Sequence, residues 1–91
     1  MIQVKILGNK TRLRYPVRRV VEAALASLLQ EYPELQISVT EISDTAEILK
    51  YTQVLVSPAL VINEKLVYDL WIPDKAQVIA WLRETFLGRS L

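Results

Sequence analysis

The segment Val56-Ser57-Pro58-Ala59-Leu60-Val61-Ile62 decides the reading of this chain. It is an apolar run rich in β-branched residues, entered through an X-Pro bond and closed by Asn63-Glu64-Lys65. Such a run predicts a fully buried strand with a rigid turn before it and a hairpin after it. Proline is tolerated at the first residue of a strand, where the ladder loses no amide.

Working outward, Lys65 leads into a further strand over about 66–70, close enough for an antiparallel hairpin. Pro73 ends it, and Asp74 with Gln77 makes a capping arrangement for a last helix. Val78, Ile79, Leu82 and Phe86 form the inner face of that helix, Gly88 is placed as its left-handed terminator, and Arg89-Ser90-Leu91 is a tail. Upstream, Asp44-Thr45-Ala46-Glu47 fits a capping box for a short helix over about 45–51 that buries Ala46, Ile48 and Leu49.

At the start, Ile2, Val4 and Ile6 alternate with Gln3 and Lys5, which predicts a strand over 2–7. Lys5 is a misfit in a central strand and is expected to snorkel to the sheet end. Residues 8–15 read as a basic loop. Pro16 then opens a helix whose apolar residues Val17, Val20, Val21, Ala24, Leu25, Leu28 and Leu29 share one face, and which stops before Pro33. Leu35, Ile37 and Val39 alternate with polar neighbours in a second strand. A strand, a helix of about sixteen residues and a second strand form a right-handed βαβ unit with parallel strands. The order is β-α-β-α-β-β-α in one domain spanning residues 1–91, an α/β fold.

Composition bounds the chemistry. Hydrophobic residues make up 52% and charged residues 23%, enough to bury one core and too apolar for disorder. There is no cysteine and no histidine. That excludes thiol chemistry, and it removes the commonest general base and the commonest metal ligand, so neither a metal nor a cofactor is expected. No apolar run approaches the roughly 18 residues of a bilayer span, and the strand-like first residues do not suit a signal peptide, so no membrane partner and a cytoplasmic location are expected.

The net charge of +1 conceals a split: residues 1–19 carry six bases and no acid, and the remainder carries five bases against ten acids. The basic cluster of Lys10, Arg12, Arg14, Arg18 and Arg19 at a helix start is an electrostatic oddity, because helix N-termini favour anions. It is either solvated and paired with acids such as Glu22, Asp44 or Asp69, or the seat of an anionic ligand. Near-neutral overall charge and a largely acidic remainder argue against nucleic acid, although Tyr15 could stack on a base.

These elements resemble the small thioredoxin-like and glutaredoxin-like proteins of archaea and bacteria, of the redox-active disulfide type. The resemblance rests on Ile6-Leu7-Gly8, on Ser57-Pro58-Ala59-Leu60-Val61-Ile62-Asn63 and on Ile72-Pro73 before the last helix. It implies a four-stranded mixed sheet of order 2-1-3-4, with the first and third helices on one face and the second on the other. It also implies a cis-proline at Pro58, facing a Cys-x-x-Cys pair. In this chain the two cysteine positions fall at Thr11 and Arg14, with Arg12 and Leu13 between them, and neither supplies a redox thiol. The glycine that in the family lets a bound peptide approach the proline loop is Leu70 here.

The expectation is therefore a thioredoxin-like domain without catalysis, serving as a protein-interaction or binding module. An enzyme of the glutathione-transferase kind would need a second helical domain. The binding residues expected are Thr11, Arg12, Arg14, Tyr15, Ser57, Pro58 and Trp71. A homodimer through the last strand, where Tyr68, Trp71 and Ile72 lie, and an anionic ligand at the first helix are the partners weighed. Trp71 could equally cap the core, and Trp81 is expected to pack. Asp69, Asp74, Glu41, Asp44 and Glu47 are read as caps and strand ends rather than as acid/base pairs.

Overall fold

A computed structural model describes residues 1–69 and 71–88. Seven elements follow one another: β1 (Ile2–Leu7), α1 (Thr11–Glu31), β2 (Ile37–Ile42), α2 (Thr45–Ile48), β3 (Ala59–Ile62), β4 (Lys65–Tyr68) and α3 (Lys75–Phe86). The sheet order is β2-β1-β3-β4. β1 and β2 are parallel, as the α1 crossover requires, and β1–β3 and β3–β4 are antiparallel. The expected fold class and strand order are those observed.

The period-two alternation of β1 separates two cores. Ile2, Val4 and Ile6 join Leu60 and Ile62 against Val17, Val21, Ala24 and Leu28 of α1 and Val78 and Leu82 of α3. Leu7, Ala59 and Val61 face the other way, onto Ile48 of α2. β3 is buried along its whole length because it is covered on both faces, which is why it reads as a continuous apolar run. Trp81 packs on Tyr68 with ring centroids 5.7 Å apart, as expected of a packing residue.

Several boundaries differ from the sequence reading. α1 starts at Thr11, one and a half turns before Pro16, so residues 11–15 are helix and not loop. Leu13 extends the apolar stripe one turn back from Val17 and is buried, which repays the backbone bond that Pro16 cannot make. β2 lies two residues later than expected, because its partner is set by the pairing of Ile2 with Ile37. Leu35 remains buried just outside it. α2 is a single turn in which only Ile48 is buried, with Ala46 and Leu49 exposed. Asp44 caps it by accepting from the Glu47 amide at 3.2 Å, but the Glu47 carboxylate pairs with Lys50 instead of reaching back. Leu29 of α1 is also exposed. β3 is the strand expected over about 59–63, and Val56, in the segment that carries the chain to Ser57-Pro58, stands 83% exposed ahead of it.

Asn63 and Glu64 form the two-residue turn between β3 and β4, both with positive φ, in keeping with the twist of tight hairpins. Asn63 is also tied to β1: its amide donates to the Gln3 carbonyl, and its side-chain oxygen accepts from the Gln3 amide, each at 2.8 Å. Lys5 reaches the hairpin end of the sheet, as expected of a misfit that snorkels. Its ammonium donates to the Tyr51 hydroxyl at 2.9 Å and pairs with Glu64 across the open part of the α2 face. Gly88 has φ 71 and ends α3 as expected, and Asp74 and Gln77 make their reciprocal bond at 3.1 Å. The family's glycine position, Leu70, and the tail 89–91 lie outside the described residues. Among the described residues, no helix is long and apolar enough to cross a membrane.

Candidate functional site

The strand register brings the expected site residues to one end of the sheet. Leu7 pairs with Ala59, so Gly8, which leads into α1, and Pro58, which leads into β3, lie side by side just beyond the ladder. Leu60 pairs with Tyr68, so the chain leaving β4 through Asp69 toward Trp71 passes the same end. The Ser57 hydroxyl seals this arrangement by donating to the Asp69 carbonyl at 3.0 Å. The Thr52 hydroxyl donates to the Asp69 carboxylate at 3.1 Å and accepts from the Val54 amide at 3.0 Å, holding the 52–58 segment to the end of β4.

Pro58 is buried, and no peptide bond among the described residues is cis, so the Ser57–Pro58 bond is trans. The expected cis isomer is corrected: trans is the form X-Pro bonds favour by about 0.5–1 kcal/mol. Apolar side chains among the expected site residues and in the segment before the proline are exposed. Val56 is 83% and Trp71 55% exposed, and Tyr15 and Val54 are exposed as well. Trp71 therefore does not cap the core, and Ile72 and Pro73 behind it fill that place. Val56 and Val54 are site residues that the sequence reading passes over, because apolar β-branched residues in a connecting segment do not signal a surface. The signal that marks them is position: they precede the proline, outside the paired ladder.

The basic cluster divides in two. The Arg14 guanidinium donates to Glu41 at 2.9 Å, to the Gly8 carbonyl at 2.7 Å and to the Thr11 hydroxyl at 3.3 Å. Arg18 donates to the other Glu41 oxygen at 2.8 Å and lies 3.7 Å from Glu22. Glu41, at the end of β2, is thus a bridge between both arginines, and the Arg14 bond foremost holds its carboxyl below the usual carboxylate range. Arg19 donates to the Tyr15 hydroxyl at 3.2 Å and lies over its ring. These three arginines are engaged within the fold. Lys10 and Arg12 are exposed, and no salt bridge involves them among the described residues. Lys10 is the N-cap residue of α1 and gives its first-turn amides no side-chain acceptor.

Thr11 and Arg14, at the positions of the family's thiols, thus meet each other through a hydrogen bond next to Gly8. What the structure shows there is a guanidinium clamp, Arg14 on Glu41, Gly8 and Thr11. A Cβ on Gly8 would come within 3.0 Å of the Arg14 side chain and 3.2 Å of Leu13, so the helix start approaches the strand end closely because this residue has no side chain. The family model for the thioredoxin domain matches residues 3–83. The chain belongs to the thioredoxin domain family. Comparison with curated proteins and with solved structures gives no match. Within the family this member lacks cysteine altogether.

The opposite end of the sheet carries a shallow depression of about 210 Å³ between Ile2, Leu35 and Phe86. It lies at the starts of β1 and β2, away from Pro58 and the arginine clamp.

Proposed function

We propose that this thioredoxin-domain protein is a non-catalytic interaction module that binds a protein partner at the Pro58 end of its sheet. The observation that carries the reading is the exposure of Val56 and Trp71 on two segments that hydrogen bonds from Ser57 and Thr52 to Asp69 tie together beside the buried Pro58. Exposed aromatic and aliphatic groups on a rigid support suit contact centres. With neither cysteine nor histidine, the same place has no group for disulfide exchange.

Paired affinity capture from cell extract tests this, with the wild type against Val56→Ser/Trp71→Ser. Both side chains are exposed, so stability should stay within about 0.5 kcal/mol of the wild type. Binding partners lost in the double variant support the reading, and an identical set of partners refutes it. In parallel, an insulin-reduction assay should give no turnover above buffer. A cytoplasmic location is part of the same proposal and is checked by cell fractionation.

A second reading is favoured by the two cations of the basic cluster that have no salt bridge or side-chain hydrogen bond among the described residues: Lys10 and Arg12, at the uncapped start of α1, would hold a small anion or an anionic group of the partner. Titration with inorganic phosphate, followed by amide shifts at residues 10–13 in wild type and Lys10→Ser/Arg12→Ser, distinguishes it. Shifts absent from the wild type, or unchanged in the variant, retire it. Nucleic acid is not part of the proposal, because within the basic cluster only Lys10 and Arg12 are left without a partner among the described residues, too few for a phosphate track.

A further inference from the structure

The two edges of the sheet are built differently. β4 has four residues, opens on the exposed Lys65 and meets β3 through a register shift at Leu60/Val61. Short length, an edge lysine and a bulge each discourage pairing with another chain. β2 has none of these devices. It runs for six residues, Ile-Ser-Val-Thr-Glu-Ile, in unbroken register with β1, without lysine, arginine or proline. Its outer side has no strand partner among the described residues.

Alongside that free edge runs an apolar strip. Arg14 and Arg18 reach Glu41 of β2, which shows that the α1 stripe on which they lie overhangs this strand. The same stripe continues at Leu25 and Leu29, seven and eleven residues beyond Arg18. α1 runs antiparallel to β2, so these leucines come over Ile37 and Val39. Leu25, Ile37 and Val39 are half-buried, and Leu29 is 42% exposed.

We infer that β2 pairs antiparallel with β2 of a second copy, giving a two-fold dimer with a continuous eight-stranded sheet. The occupant follows from self-complementarity. A two-fold axis normal to the sheet keeps each face on its own side, so facing residues share a face and the axis passes through Val39 or Thr40. Through Val39, Ser38 faces Thr40 and Ile37 faces Glu41. Through Thr40, that residue faces itself, Ser38 faces Ile42 and Val39 faces Glu41. In neither register do like charges meet, because the one ionised side chain of the strand, Glu41, faces an aliphatic residue and is already neutralised by two arginines. Leu25 and Leu29 of the two α1 helices flank the joint on the same face. This dimer leaves the Pro58 end of the sheet open and is independent of the function proposed there.

The test is light scattering after size exclusion, from about 10 μM to about 1 mM, where mass action favours the dimer at the upper end. The wild type should approach twice the monomer mass. Ser38→Glu/Thr40→Glu places carboxylates against each other in both registers. At exposed positions it should leave the circular dichroism unchanged, and it should weaken self-association by at least about thirtyfold. Leu29→Glu, a surface change on α1, should weaken it by about tenfold, and Trp71→Ser should leave it unaltered. Amide exchange in β2 should slow as concentration rises. A wild type that stays monomeric overturns the inference. So does a dimer that survives both glutamate variants, or one that Trp71→Ser dissolves.

Discussion

Replacing Glu41 by glutamine is the most informative perturbation of the scaffold, because among the described residues this carboxylate carries the side-chain hydrogen bonds that join the start of α1 to the end of β2. It accepts from Arg14 at 2.9 Å and from Arg18 at 2.8 Å. Exposed ion pairs contribute about 0.2–1 kcal/mol each, and hydrogen bonds to charged groups about 1.5–3. The Glu41 side chain is 32% and that of Arg14 only 14% exposed, so the bridge belongs between those ranges after screening. Glutamine keeps the shape and one acceptor but leaves two guanidinium groups facing each other. Glu41→Gln should therefore cost about 1–2 kcal/mol at pH 7, a fall in Tm of roughly 4–16 °C for a domain this small.

The pH dependence provides the control. The folded carboxyl of Glu41 is held below the usual carboxylate range by Arg14 first, with Arg18 adding to it against partial burial. A lowered folded pKa means that the contribution is complete above the unfolded value, about 4.3, and fades as pH falls through the folded one. Urea unfolding of wild type and variant should accordingly differ at pH 7 and converge near pH 2. Equal stability at pH 7, or a gap that persists in acid, would refute the electrostatic account of the clamp.

Three further outcomes test the packing and backbone arguments. Pro16→Ala restores an amide that can reach the Arg12 carbonyl inside α1, and after the gain in unfolded-chain freedom it should stabilise by about 1–2 kcal/mol in thermal melts. Leu60→Ala, at the 1% exposed centre of β3, should cost about 3 kcal/mol in urea unfolding. Gly8→Ala should destabilise by about 1–3 kcal/mol by pushing Arg14 and Leu13 aside, and the nitrogen resonances of the Arg14 guanidinium should shift with it.

How far the sequence could be read depended on whether the signal was local. β1, the β3–β4 hairpin and α3 follow from alternation, turn chemistry and caps within a few neighbouring residues, and they stand where those signals put them, except that Lys65, read as part of the link, opens β4, which runs to Tyr68. The start of α1 was obscured because Pro16 imitates a first-turn residue, whereas the true N-cap, Lys10, has no capping side chain. Leu13, four residues before Val17, was the available clue. Glu41 as the partner of Arg14 was not legible, since 27 residues separate them and only the parallel register of β1 with β2 joins them. The surface role of Val56 and Trp71 was hidden for a related reason. Their residue types signal interior, and only the place where pairing stops decides otherwise.

Glu64 occupies a backbone conformation that glycine would adopt without penalty, with φ 67, in a turn where Asn-Gly is the commonest pair. A side chain there costs roughly 1 kcal/mol, yet this one receives the Lys5 ammonium and the Tyr51 hydroxyl. The central strand can therefore tolerate a lysine only while the turn departs from its own optimum. An engineer who relaxed the hairpin with glycine would leave the Lys5 ammonium with the Tyr51 hydroxyl and without its carboxylate, so positions 5 and 64 are best changed together.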